Sequence, residues 1–134
     1  LHTLTLPLDT AESAIELFTI LQTNTALEAL SVEIKVKVYS SNMGISLQEM
    51  LIKNKTLKYL EIDKDNGCIV VPSSFLSFLT TGLRHNNSLQ HLSVSIPPNE
   101  EMRGFISVAS QKDNLTELEV NYSATCCYLH VTVT

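Results

Sequence analysis

Leucines and β-branched residues recur along this chain in a short figure, L-x-x-L-x-[LIV], which occurs five times. The copies are Leu1, Leu4, Leu6; Leu27, Leu30, Val32; Leu57, Leu60, Ile62; Leu89, Leu92, Val94; and Leu115, Leu118, Val120. The first leucines lie 26, 30, 32 and 26 residues apart. A near-constant period of this length signals stacked supersecondary units. Within each figure the apolar positions partly alternate and end β-branched, which predicts a short strand. The intervening positions are polar or small: His2, Thr3, Thr5; Glu28, Ala29, Ser31; Lys58, Tyr59, Glu61; Gln90, His91, Ser93; Thr116, Glu117, Glu119. A sheet covered on both faces has continuously apolar strands. Here one face is predicted to meet a packed layer and the other to meet solvent.

An apolar stripe at helical spacing precedes each later strand. The first carries Ala14, Leu17, Phe18 and Leu21, with Asp9 or Thr10 as N-cap. In the second, Ser46-Leu-Gln-Glu49 reads as a capping box and Leu47, Met50 and Leu51 as the buried stripe. The third follows Pro72 with Phe75, Leu76, Leu79 and Leu83; the fourth starts near Asn99 with Met102, Phe105, Ile106 and Ala109. Asn24, Asn54 and Asn86 stand at three helix ends, where a left-handed terminal residue is well tolerated.

Strands separated by crossover helices are parallel neighbours, joined by right-handed crossovers. The one-sided strand pattern selects helices on one face only. The expected fold is therefore an α/β solenoid, a right-handed β-α superhelix of about five irregular repeats over residues 1–134, with strands near 1–6, 27–38, 57–62, 89–95 and 115–121. The alternation Val32, Ile34, Val36, Val38 extends the second strand, and GCIVVPS at 67–73 offers a short extra one. Residues 126–134 alternate as another strand, too close to 115–121 for a crossover helix; they must lie off the sheet or, the preferred reading, form an antiparallel hairpin over its end.

The lines N-K-T-L-K-Y-L-E-I (54–62) and N-N-S-L-Q-H-L-S-V (86–94), with the helix ending FLSFLTTGLRHN, resemble leucine-rich repeats of the ribonuclease-inhibitor type. That type occurs in intracellular nucleotide-binding, leucine-rich-repeat innate-immune receptors. The resemblance covers Leu1 to about Val120. It implies a non-catalytic scaffold, the ligand-sensing or regulatory segment of such a receptor, placed in the cytoplasm and bound to a protein or other macromolecule. Where the family carries Asn or Cys, eight positions after the first Leu, this chain has Asp9, Lys35, Asp65, Pro97 and Ser123, so its turns must satisfy their backbone groups differently. Two rival readings are a small doubly wound α/β domain with an enzymatic or nucleotide-binding role, and a purely structural spacer.

Composition narrows the chemistry. Fourteen acidic residues against nine basic ones give a net charge of −5, without any Lys/Arg-rich run to displace counterions from phosphates. Nucleic acid and membrane surfaces are therefore not expected partners. No apolar run approaches the roughly 18–20 residues of a membrane span. The opening LHTLTL has neither an initiator Met nor a signal-like segment, and reads as part of a longer protein. Cys68, Cys126 and Cys127 are odd in number and two are adjacent, a poor disulfide framework that suits a reducing compartment. With four glycines, the chain lacks phosphate-loop, dinucleotide and nucleophile-elbow motifs, and its histidines are scattered. No catalytic residue, cofactor or metal is expected. Sequons stand at Asn54, Asn86, Asn114 and Asn121, and those at Asn54 and Asn86 follow from the repeat's own wording.

What remains is the solvent-facing strand surface. Its charged residues are Glu28, Glu33, Glu61, Asp63, Glu117 and Glu119 against Lys58, which predicts an acidic face for a basic partner. Tyr59 and His91 occupy equivalent positions in neighbouring units and are expected side by side as a ligand anchor.

Overall fold

Each leucine figure forms a strand, and each stripe between figures forms a helix. The computed structural model describes residues 2–35, 38–62, 73–96, 100–122 and 128–132. In chain order the elements are β1 (Thr3–Leu8), α1 (Ala11–Leu21), β2 (Ala29–Ile34), α2 (Ser41–Lys53) and β3 (Tyr59–Ile62). They continue as α3 (Ser73–His85), β4 (His91–Ile96), α4 (Glu100–Ser110), β5 (Glu117–Tyr122) and β6 (Tyr128–Thr132). The strands lie in the order β1-β2-β3-β4-β5-β6. The first five are parallel and β6 runs antiparallel to β5, as the C-terminal alternation predicts.

The register aligns the repeat with itself. Leu4, Leu30, Leu60, Leu92 and Leu118 form one row across the sheet, and Leu6, Val32, Ile62, Val94 and Val120 the next. At each junction a carbonyl just before one strand takes two amides from the next unit: His2 from Glu28 and Ala29, Glu28 from Lys58 and Tyr59, Lys58 from Gln90 and His91, Gln90 from Thr116 and Glu117. The leucine face shares one core with Phe18, Met43, Leu47, Met50, Phe75, Leu79 and Phe105 of the helices. Each helix packs on the next, α1 on α2, α2 on α3 and α3 on α4. The helices thus cover the leucine face and leave the alternate strand positions outside the core. This is an α/β repeat fold.

Glycine sets the closest helix approach. A Cβ on Gly82 of α3 would lie 2.9 Å from Leu51 Cβ and 3.2 Å from the Gln48 Cα of α2. On Gly44 it would strike the Phe78 ring.

Three local expectations differ from the structure. Helix α2 begins six residues earlier than the Ser46 capping box: Ser40 is the N-cap and accepts from the Met43 amide at 3.2 Å. Ser46 lies buried inside the helix and donates to the Met43 carbonyl at 2.9 Å. Met43 extends the buried stripe backward, so burial carries the helix past the sequence signal. Strand β2 stops at Ile34 rather than running to 38; the Val38 amide turns back to the Lys35 carbonyl at 2.9 Å, and Val38 joins the core through that turn. Asn54 is extended (φ −74°, ψ 133°), not left-handed. Asp9 and Lys35 form an exposed ion pair at 3.2 Å. The segment GCIVVPS lies outside the described residues apart from Ser73, the first residue of α3, and all three cysteines lie outside them.

Asn54 and Asn86 instead bind the units together. Asn54 Oδ1 accepts from the amides of Thr56 (2.9 Å) and Leu57 (2.7 Å), while Nδ2 donates to the Leu21 carbonyl of the previous unit (2.7 Å). Asn86 repeats the pattern with Ser88, Leu89 and Leu51 at 3.0, 2.8 and 2.8 Å. Asn24 caps Ala26 and Leu27 in the same way, at 2.9 Å each. The hydroxyls of Thr56 and Ser88 reach back to the Leu27 and Leu57 carbonyls, both at 3.2 Å. This accounts for N-x-[TS]-L before the strands: the Asn closes the turn and the hydroxyl stitches it to its neighbour. In the folded chain the side-chain amides of Asn54 and Asn86 are thus buried and hydrogen-bonded.

Candidate functional site

Successive strand residues face opposite sides, so the leucine register sets the opposite face residue by residue. One row on it reads Thr3, Ala29, Tyr59, His91, Glu117, and the next Thr5, Ser31, Glu61, Ser93, Glu119. Directly paired residues on parallel neighbours touch across the sheet, and five of these side chains join into one line.

Ser31 Oγ donates to Glu61 Oε1 at 2.8 Å. The Tyr59 hydroxyl donates to Glu61 Oε2 at 2.7 Å, two residues along β3. The Tyr59 ring stacks on His91 with centroids 4.4 Å apart and planes 11° from parallel. His91 Nδ1 meets Glu117 Oε1 at 2.7 Å. Beside this line, Ser93 Oγ lies 3.4 Å from Glu119 Oε1. The Glu117 carboxylate accepts the Nδ1 proton, leaving Nε2 buried without a hydrogen-bond partner among the described residues. Burial first, then the hydrogen bond to Glu61 and the charges of Glu61, Glu119 and Glu117, hold the Tyr59 hydroxyl well above the ordinary tyrosine range. The ring is therefore a neutral aromatic wall at physiological pH.

On the β2 side of that wall the face is hollow. Thr3, Thr5, Ala29, Leu30, Ser31, Tyr59 and Glu61 line a depression of about 310 Å³. It exists because β1 and β2 put small residues where β3 puts a large aromatic one. His91 on β4 covers one face of the Tyr59 ring, and the other looks over Ala29 into the hollow.

Of the residues expected on this surface, Tyr59, Glu61, His91 and Glu117 come together, with Glu119 one row away. The stacked Tyr59 and His91 are the expected adjacent pair. Glu28, Glu33 and Lys58 lie on the exposed margins, Glu28 with its carboxylate 3.7 Å from His2 Nδ1. Asp63 lies outside the described residues. The expectation that every alternate position meets solvent fails at Ser93, which is fully buried. Ser31 and the hollow's floor were not singled out in the sequence, although the run of small residues at equivalent positions (Thr3, Ala29; Thr5, Ser31) carries that information.

Among the described residues, no group of three or more His, Cys, Asp or Glu side chains is placed to hold a metal ion. Among them, too, no helix is long and apolar enough to cross a membrane. No family model matches the chain, and no curated protein matches it.

Proposed function

We propose that this chain is a non-catalytic protein-interaction scaffold. It is a leucine-rich-repeat solenoid of the ribonuclease-inhibitor type that offers its strand face to a macromolecular partner. Its role is that of the ligand-sensing or regulatory segment of a cytoplasmic innate-immune-type receptor. The observation that carries this reading is the strand face itself. It is left uncovered by the helices, and its acidic and aromatic side chains are already fixed by one another rather than by ordering on contact. Pre-organisation of this kind lowers the entropic penalty of binding. A doubly wound enzyme fold places its ligand where strand order reverses, whereas these strands run from β1 to β5 in sequence order. A spacer has no need of a braced aromatic hollow.

The test is capture of partners from lysate by charge-reversed baits. Glu28 and Glu33 are exposed on the strand side, while Glu12 and Glu16 are exposed on α1 at the opposite surface. Glu28→Lys with Glu33→Lys is expected to reduce capture roughly fivefold or more at low salt, with the melting temperature unchanged. Glu12→Lys with Glu16→Lys is expected to leave capture as it is. The reverse ranking, or equal capture by both variants, rejects the strand face as the binding surface.

A further inference from the structure

We propose that the hollow beside Tyr59 is a receptor for a single arginine side chain of the partner, with the guanidinium laid against the open face of the Tyr59 ring. The inference rests on the reading of the strand face as the binding surface and names what that surface recognises.

Geometry limits the occupant. A hollow of about 310 Å³ admits the end of one long side chain and no folded element. Its wall is an aromatic ring braced from behind by His91 at 4.4 Å, so an incoming group meets a surface that does not move. Its floor is Ala29 and the hydroxyl-bearing Thr3, Thr5 and Ser31, and its rim carries the Glu61 carboxylate. Aromatic face, carboxylate and hydroxyl oxygens all favour a cation with several donors. A cation over a tyrosine face is attracted by the ring quadrupole, more strongly as water leaves.

Charge points the same way over the wider surface. The paired rows of this face carry the carboxylates of Glu33, Glu61, Glu117 and Glu119 and, among the described residues, no lysine or arginine. An anionic guest would be repelled before it reached the ring. A lysine ammonium is compact and strongly hydrated, and it cannot lie flat on an aromatic plane. A guanidinium is planar, weakly hydrated and carries five donors, which suits one flat wall and a floor of hydroxyl oxygens.

The experiment titrates the isotope-labelled chain with acetyl-arginine amide, acetyl-lysine amide and acetyl-citrulline amide, following backbone amide signals at low salt. Citrulline keeps the shape of arginine and removes its charge. Arginine amide is expected to give saturable shifts at Thr3, Thr5, Ala29 and Ser31, with lysine weaker and citrulline silent. Tyr59→Ala is expected to weaken arginine binding about tenfold. Tyr59→Phe, which keeps the ring, should stay within about twofold and guards against loss of fold in the alanine variant. Ala29→Leu fills the hollow and should abolish the shifts without altering the charge of the face.

No saturable shift with arginine, equal shifts with citrulline, or undiminished binding by Ala29→Leu overturns the proposal. Equal affinity for lysine overturns the choice of arginine. Shifts confined to the margins around Glu28 and Glu33 leave the strand face as a cation-binding surface and sink the hollow alone. The two failures are thus told apart.

Discussion

Buried amides at Asn54 and Asn86 couple one unit to the next, because each satisfies two amides of its own turn and a carbonyl of the unit before it. Replacing Asn86 by alanine leaves the Ser88 and Leu89 amides and the Leu51 carbonyl without this partner. Asn86→Ala is expected to destabilise the fold by about 2–4 kcal/mol in chemical denaturation, whereas the exposed Asn87→Ala should stay within about 0.5 kcal/mol. Equal effects of the two would mean that water replaces the buried bonds. Tyr59 makes a different prediction, through pH. Its proton is held above the ordinary value of 10.0, chiefly by burial and then by the bond and charge of Glu61. Below that value both folded and unfolded chains keep the proton, and the contribution to stability is complete. Above it the unfolded chain ionises first, so the unfolded state gains and stability falls as pH rises. Between about pH 10 and about pH 12 the wild type should lose more stability than Tyr59→Phe. Parallel slopes would remove Tyr59 as the cause.

At the scale of elements, the repeat period predicts the five parallel strands and four helices found among the described residues, because buried leucines recur wherever a unit must meet its neighbour. Boundaries were harder. Ser40 and Ser46 both stand before apolar residues, and the choice between them depends on Met43 finding room in the core, which a sequence window does not contain. The glycines separate by environment in the same way. Gly82 faces Leu51 Cβ and Gln48 Cα of α2, atoms held at or next to the backbone, so Gly82→Ala should lose about 1–3 kcal/mol through overpacking despite the better helix propensity of alanine. Gly104 is exposed on α4 with no atom within 4 Å of an added Cβ. Gly104→Ala should gain about 0.5–1 kcal/mol. Thermal melts of the two variants should move in opposite directions, and a shared direction would show that α2 and α3 are not in contact at Gly82.

For the molecule as a whole, register was the legible part of the site and side-chain geometry was not. Equivalent positions in successive units must become neighbours in a parallel sheet, so the pairing of Tyr59 with His91 is written in the spacing of the leucines. The bond from Ser31 to Glu61, the stacking of Tyr59 on His91 and the burial of Ser93 depend on rotamers chosen jointly by residues about 30 positions apart. No single unit contains that choice. The same architecture makes stability a collective property, since each unit buries its leucines mainly against the units beside it. Leu60 lies in the middle row between Leu30 and Leu92, with no exposure to solvent. Leu60→Asp puts a carboxylate into that shared interior, at a penalty of several kcal/mol against a typical total of about 5–15 kcal/mol. Leu4, in the edge strand and only partly buried, can let its charge reach water with local fraying of β1. Dispersed amide signals should therefore disappear throughout β1 to β5 in Leu60→Asp, while Leu4→Asp should keep those of β3, β4 and β5. If the outer units of Leu60→Asp stayed dispersed on either side of a melted centre, each unit would be folding alone, and a single core shared by all of them could not be what holds this chain together.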